Sequence, residues 1–254
     1  MYQVTTPPTE QVGNSAGSYP RLYPMAEVQA IYDKAYTTPG LMGTHLDGEY
    51  SRVTKSTLLA MCQPASNGRL LDLGTGDGDL WTFAETTLEW HAIDISHVGV
   101  ARAHSRFPRL HPAVAIGEYL PYPDQFFDAV VAADTMEHVF DLEQSLREIR
   151  RVLAPGGKFA LSVPAPQSLR KWATNRLLRQ RPEPALLWRL LRTVVKRRLL
   201  FGKAAFQPID RDLSLSHWRA LLQQQEFQVQ QTKLWPVAPL EPIVYLLETT
   251  VASS

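Results

Sequence analysis

Three alternating glycines flanked by carboxylates stand at the end of a short apolar run: Arg69-Leu70-Leu71-Asp72-Leu73-Gly74-Thr75-Gly76-Asp77-Gly78. The run reads as a buried strand leading into a turn, where glycines let the main chain approach a ligand that side chains would obstruct. Nucleotide-like molecules suit such turns. A dinucleotide site needs G-x-G-x-x-G, with the pyrophosphate seated on bare amides at a helix start. Here the third glycine comes one residue early, at Gly78, and Asp79 stands where the last glycine would be. Asp72, Asp77 and Asp79 would repel a diphosphate, and the Gly-Lys-Ser/Thr of a P-loop is absent because no lysine occurs between Lys55 and Lys158. A ligand with an ammonium and a sulfonium, and no phosphate, is favoured by the same acids. S-adenosylmethionine has that chemistry.

Beyond Gly78, His91-Ala92-Ile93-Asp94-Ile95-Ser96 reads as a second strand ending in an acid, Asp94, which lies sixteen residues after that glycine. Asp94 there suits two ribose hydroxyls, whose hydrogens a carboxylate can accept. Further on come Leu120-Pro121-Tyr122-Pro123-Asp124-Gln125-Phe126-Phe127-Asp128, then Ala129 to Asp134, Glu137-His138-Val139 and Leu146 to Lys158 with its Pro155-Gly156-Gly157 turn. In this order the segments resemble motif I and the succeeding motifs of the class I S-adenosylmethionine-dependent methyltransferases of the ubiquinone and small-molecule type. The resemblance implies S-adenosyl-L-methionine as cofactor and methyl transfer as reaction, with a small-molecule acceptor methylated at oxygen or nitrogen in preference to carbon. It implies cofactor contacts from Asp72, Gly74, Thr75, Gly76, Asp94, Ile95, Gly117, Glu118, Tyr119, Ala133 and Asp134, with Tyr32 or Tyr36 of an N-terminal helix closing over the methionine end. One position departs from the pattern. Where relatives carry an adenine-binding aspartate, four residues before Leu120-Pro121, this chain has Ile116. Either Glu118 takes the role, or backbone groups and apolar side chains hold the adenine.

Methyl transfer is an in-line displacement that needs alignment and, for many acceptors, a base. His138 is the base candidate and Asp134 its neighbour at the expected end of the fourth strand; a capping or packing role for His138 is the competing reading. Asp134, Glu137 and His138 are spaced i, i+3, i+4 and would share one face if the chain turned helical at once. That allows a weak divalent-metal reading, although no partner ligand is evident and hard cations want about six oxygen-rich positions. The bland alternative leaves Asp134 on the cofactor through its backbone and Glu137 stabilising the helix start.

Between Ser168 and Lys203 stand eleven Lys or Arg against one acid, Glu183, so that stretch carries +10 in a chain of net charge +1. Leucines and valines recur there at helical spacing, giving a basic amphipathic helix or helix pair broken at Pro182 and Pro184. Three readings compete: a lid whose arginines face an anionic group of the acceptor, an interfacial helix pressed into an anionic membrane to reach a lipid-like acceptor, and a nucleic-acid surface. Nucleic acid is disfavoured, because Ala133-Asp134-Thr135 lacks the Asn/Asp-Pro-Pro-Tyr pattern and aromatics do not interleave with the basic residues. A protein that binds the cofactor without transfer, using this segment on a partner, is the reading from a different class.

The elements that must position these groups follow from periodicity. Strands are expected near 69–73, 91–95, 113–116, 128–133 and 157–163, with helices between, then a helix over 214–225 and strands near 227–234 and 242–250. That alternation gives an α/β, Rossmann-like doubly wound sheet, which the resemblance completes to seven strands, mostly parallel with the last antiparallel. Residues 1–22 read as a flexible tail, 23–66 as a helical lid, 67–166 as the cofactor-binding core, 167–205 as the basic insertion and 206–254 as the rest of the core. The single Cys62 excludes a disulfide framework and reads as a packing residue. No secretion signal or membrane span is apparent, so a cytoplasmic location is expected; the oligomeric state is not encoded in any pattern found.

Overall fold

The computed structural model describes residues 24–38, 49–62, 67–83, 87–165, 209, 211, 213–235 and 244–251. The tail (1–22) and the basic insertion (167–205) lie outside the described residues.

Two helices, α1 (Met25–Thr37) and α2 (Glu49–Cys62), precede a sheet built from β1 (Arg69–Leu73), β2 (Glu89–Asp94), β3 (His111–Val114), β4 (Phe127–Ala133), β5 (Leu153–Pro164), β6 (Phe227–Trp235) and β7 (Val244–Val251). The other helices are α3 (His97–Arg106), α4 (Leu142–Val152) and α5 (Leu215–Gln224). The sheet order is β3-β2-β1-β4-β5-β7-β6; β1 pairs in parallel with both β2 and β4, and β7 runs antiparallel to both β5 and β6. The order reverses between β1 and β4, which opens a crevice at the carboxyl ends of these strands.

Side chains alternate between two apolar layers because successive residues of a strand point to opposite faces. Leu71, Val130, Ala132, Phe159 and Leu161 pack on one side with Leu146, Ile149, Trp218 and Leu222 from α4 and α5. Leu70, Ala129, Val131 and Ala160 face the other side, against Leu58, Met61 and Cys62 of α2. In α4 the buried residues Leu142, Leu146, Ile149 and Val152 recur at three- and four-residue spacing, the single apolar stripe of a helix laid on a sheet. Asp141 caps this helix, accepting from Gln144 N at 2.9 Å. Cys62 is buried, and burial pushes its thiol up to about 12, so it stays a neutral packing group as expected.

Two connections differ from the expected helices. After β1 the chain makes a 3-10 turn, Asp79–Phe83, and from β3 to β4 it runs as a loop through residues 115–126. Arg151 organises that loop by donating to the carbonyls of Leu120 (3.0 Å) and Tyr122 (2.8 Å), while Glu148 accepts from Leu120 N. The expected Pro-Gly-Gly turn is absorbed into β5, whose pairing with β4 shifts register between Phe127 and Ala129. Ser214 caps α5 by accepting from His217 N at 3.3 Å, the role expected for Ser214 or Ser216. Among the described residues no helix is long and apolar enough to cross a membrane.

Truncating the fully buried Leu146 to Ala should cost about 2–5 kcal/mol of stability, from lost burial plus the cavity left behind. Urea unfolding followed by circular dichroism checks this; a loss below about 1 kcal/mol would mean that α4 is not seated on the sheet as described.

Candidate active site at the carboxyl ends of the strands

The glycine turn hangs from the neighbouring strand. Gly74 N and Thr75 N both donate to the carbonyl of Ile93, at 2.8 and 2.9 Å. Gly74 and Gly76 have φ of +77° and +58°, and a Cβ on either would collide, with Thr135 at 2.4 Å and with the Tyr36 hydroxyl at 2.6 Å. Glycine is therefore favoured at both positions by conformation, and at Gly74 by space as well, because Thr135 is short and branched.

Two carboxylates anchor the turn. Asp72, at 3 % exposure, accepts from Thr75 Oγ1 at 2.7 Å. Asp94 accepts from Gly76 N at 2.9 Å through Oδ2 and from Ser96 N at 2.8 Å through Oδ1, so one side chain spans the ends of β1 and β2. Burial raises both acids to about 6, opposed at Asp72 by Thr75 and Lys55 and at Asp94 by the Ser96 and Gly76 amides. Farther out, Arg106 donates to Asp77 O (3.0 Å) and Asp79 Oδ1 (2.8 Å), and Lys55 approaches Asp79 Oδ2 at 3.6 Å. Burial raises Asp77; at Asp79 burial is outweighed by Arg106 and Lys55, and its pKa falls.

Helix α1 docks on this turn through residues four and three apart. Gln29 Nε2 donates to Ile95 O at 2.8 Å, Asp33 Oδ1 accepts from Ser96 Oγ at 2.6 Å and Val98 N at 3.1 Å, and Tyr36 lies buried against Gly76. Of the two tyrosines expected over the site, Tyr36 is the one seated on the glycines, while Tyr32 is half-buried beside it. Burial, then the charge of Asp94, holds the Tyr36 phenol well above its ordinary range, so it keeps its proton as a donor. The spacing of Gln29, Asp33 and Tyr36 on one helix face carried this signal in the sequence, and Gln29, Asp33 and Ser96 were not among the expected contacts.

In the turn after β3, Glu118 is held from one side. Glu118 is buried and its Oε1 accepts from Asp141 N at 2.8 Å, which ties one carboxylate oxygen to the start of α4, while Oε2 is buried with no hydrogen bond to the described residues. A helix N-terminus attracts an anion, which explains the orientation; burial still raises the pKa of Glu118. Tyr119 N closes the turn on Ile116 O at 3.2 Å, and Gly117 lies buried against Ser145 of α4.

Beyond β4, Ala133 ends the strand and Asp134 takes a φ of +51°. Asp134 N donates to Ser162 Oγ at 2.9 Å, and Ser162 Oγ donates to Asp134 Oδ1 at 2.7 Å, so the carboxylate is turned toward β5. Met136–His138 form a 3-10 turn, and the shared helical face expected for Asp134, Glu137 and His138 does not form. Among the described residues no group of three or more His, Cys, Asp or Glu is arranged to hold a metal ion. His138 Nδ1 lies 2.7 Å from the carbonyl of Ile209, and its Nε2 3.6 Å from Glu137 Oε1. Arg211, absent from the expected site, is buried and donates to the carbonyls of Glu137, Val139 and Phe140. Ile209 and Arg211 thus stitch the chain beyond the basic insertion to the loop after β4.

Comparison with known proteins agrees with this geometry. A family model described as a methyltransferase domain matches residues 71–161. The ubiquinone/menaquinone biosynthesis C-methyltransferase UbiE of Acidiphilium cryptum is 30% identical over 186 residues, covering 65% of this chain and 72% of that protein. The chain belongs to the class I S-adenosylmethionine-dependent methyltransferases. The Caulobacter UbiE is 27% identical over 164 residues, 57% of this chain and 64% of that protein, so less than two thirds of this relative's length is matched. In fold, the methyltransferase resembles the 1,6-didemethyltoxoflavin-N1-methyltransferase of Burkholderia thailandensis, whose structure holds S-adenosylhomocysteine: TM-score 0.61, 16% identity, 91% of this chain and 92% of that one.

The residues present fit the family's cofactor. The glycine turn leaves no room for a side chain, and two buried carboxylates with raised pKa offer acceptors for an ammonium group and for ribose hydroxyls. Asp72, Gly74, Thr75 and Gly76 would hold the methionine side, Asp94 and Ile95 the ribose side, and the 116–119 turn the base.

The raised carboxyls give this methyltransferase a pH signature. Asp72 and Asp94 are protonated in the free protein below about 6, and ionised acceptors are what a ligand's ammonium group and ribose hydroxyls select. S-adenosylhomocysteine affinity should therefore fall as pH drops from 7.5 through 6 to 5, with protons released on binding near pH 6. Titration calorimetry in buffers of different ionisation heat reads both, and a flat profile would contradict the assignment. Gly76→Ala should abolish measurable binding in the same assay while leaving the circular dichroism spectrum unchanged.

Proposed function

We propose that the chain transfers the donor's methyl group to a small-molecule acceptor whose reacting atom must lose a proton: a hydroxyl, an amine, or a ring carbon activated by a hydroxyl. The observation that carries this reading is the contact between His138 Nδ1 and the carbonyl of Ile209. A carbonyl oxygen only accepts, so at 2.7 Å Nδ1 carries a proton, and Nε2, on the side of Glu137, is the ring position through which a proton would be exchanged. Glu137, buried 3.6 Å from that nitrogen, would stabilise the imidazolium formed on taking the acceptor's proton. When bound, the sulfonium cofactor supplies a methyl group to an in-line nucleophile. The chain's own residues align it through Asp72, Asp94 and the glycine turn, and keep the loop after β4 in place through Arg211.

Carbon methylation of a quinone-type, lipid-like acceptor is the second reading, favoured by the relatives named for ubiquinone and menaquinone biosynthesis and by the basic amphipathic sequence between Ser168 and Lys203. Anionic lipid would then recruit the enzyme. A protein that binds the cofactor without transferring it would show affinity and no turnover.

Labelled S-adenosylmethionine offered with phenolic, amine and dihydroxy-ring acceptors, with and without anionic vesicles, separates these readings by where the label partitions. His138→Asn should lower turnover of the accepted compound roughly 10²- to 10⁴-fold, the range for a lost general base. S-adenosylhomocysteine affinity should stay within about twofold, because His138 acts on the acceptor's proton. Turnover unchanged in this variant would overturn the role given to His138.

A further inference from the structure

The loop after β4 is anchored at both ends. Asp134 N donates to Ser162 Oγ at 2.9 Å and to Ser162 O at 3.2 Å, and Asp141 N donates to Glu118 Oε1 at 2.8 Å. His138 sits between these anchors, in a 3-10 turn of three residues, Met136–His138, to which Thr135 gives no side-chain cap. So short a turn has little rigidity of its own. Val139 then runs extended, with φ −68° and ψ 153°.

What holds the middle of the loop comes from 209–211. Ile209 O meets His138 Nδ1 at 2.7 Å, and Arg211 N donates to Glu137 O at 3.1 Å. The guanidinium of Arg211, a residue 4% exposed, spreads its planar fork over the carbonyls of Glu137 (3.3 Å), Val139 and Phe140 (2.8 Å). It grips the backbone on both sides of His138, and its own main chain carries the carbonyl that the ring meets. A guanidinium is expensive to desolvate, so a buried fork contributes geometry more than stability. We propose that Arg211 is the positioning residue for His138: by clamping the backbone on both sides of it, Arg211 holds the imidazole with Nδ1 on Ile209 O and Nε2 toward Glu137. The catalytic consequence rests on the reading of His138 as the acceptor's base. Arg211 acts through the ring and not on the reactants.

One readout follows the ring and another follows turnover. In protein with isotopically labelled histidine, the His138 ring signal in nitrogen NMR is the one lost in H138N. Above neutral pH its Nδ1 should be the protonated nitrogen in the unmodified protein, and in R211M the proton should spread over both ring nitrogens. I209A, which removes a side chain but keeps the carbonyl, should leave the signal unchanged. With the acceptor that takes the label from S-adenosylmethionine, R211M should lower kcat roughly 10- to 100-fold, the range for a slightly misplaced group. KM and S-adenosylhomocysteine affinity should stay within about threefold, and in the H138N background the same change should cost less than about threefold, because the two residues act as one unit. If R211M fails to fold in thermal melting, R211K, which keeps the charge but not the fork, should show the same pattern at smaller size. An Nδ1 proton retained in the folded Arg211 variant, a ring signal disturbed equally by I209A, or a loss that multiplies in full with that of H138N overturns the proposal, and Arg211 then only steadies the fold. If H138N leaves turnover unchanged while the Arg211 variant still disturbs the ring, the base reading fails and the clamp stands.

Discussion

Everything at the crevice depends on the carboxylate of Asp94. One oxygen holds Gly76 N and the other Ser96 N, so a single buried side chain ties the tip of the glycine turn to the residue that caps α3. Ser96 passes the constraint on, because its hydroxyl donates to Asp33 of α1 while accepting from Gly99 N. Helix α1 is placed by the same chain of bonds, and Tyr36 comes to rest on Gly76 as a result. Keeping such a carboxylate buried is unfavourable, as its raised pKa records. The amides offset part of that cost, and a ligand with hydroxyl donors would offset more.

The second half of the site is held by carbonyl groups instead of carboxylates. Arg211 gathers the carbonyls of Glu137, Val139 and Phe140, and His138 meets Ile209 O, so the loop after β4 is fixed by residues that follow the insertion in sequence. Ala165, at the other end of the insertion, is buried in the core. The described residues flanking the basic insertion, Ala165 on one side and Ile209 with Arg211 on the other, are therefore buried in the core. In our reading this lets one fold pair a constant donor half with an acceptor half that can differ between relatives.

The sheet was legible in the sequence because its strands are apolar runs ending in turn residues, and the donor half was legible because glycines and acids at fixed spacing have few other uses. Asp72, Gly74, Gly76 and Asp94 are where their types suggested. A shared face for Asp134, Glu137 and His138 required the chain to turn helical at once: the positive φ of Asp134 instead turns its carboxylate to Ser162 of β5, while Glu137 and His138 stay adjacent in a short 3-10 turn, and spacing alone does not reveal a backbone reversal. The anchoring of Glu118 Oε1 by the amide of Asp141, 23 residues later, had no local signal in the sequence. Arg211 and Lys55 gave no local signal, since each acts through partners on elements far away in sequence. Tyr36 and Tyr32 were equivalent on paper, and only the seating of α1 distinguishes them.

The central claim is that Asp94 both builds the glycine turn and presents the ribose acceptor. Asp94→Asn tests it most directly, because an amide has one acceptor oxygen and must turn an N–H toward either Gly76 N or Ser96 N. Calorimetric titration with S-adenosylhomocysteine should show affinity reduced at least about 100-fold, the scale for losing hydrogen bonds to a buried charge together with the turn they order, in a protein that still folds. Affinity within about threefold of the unmodified protein, with folding verified, would contradict the account.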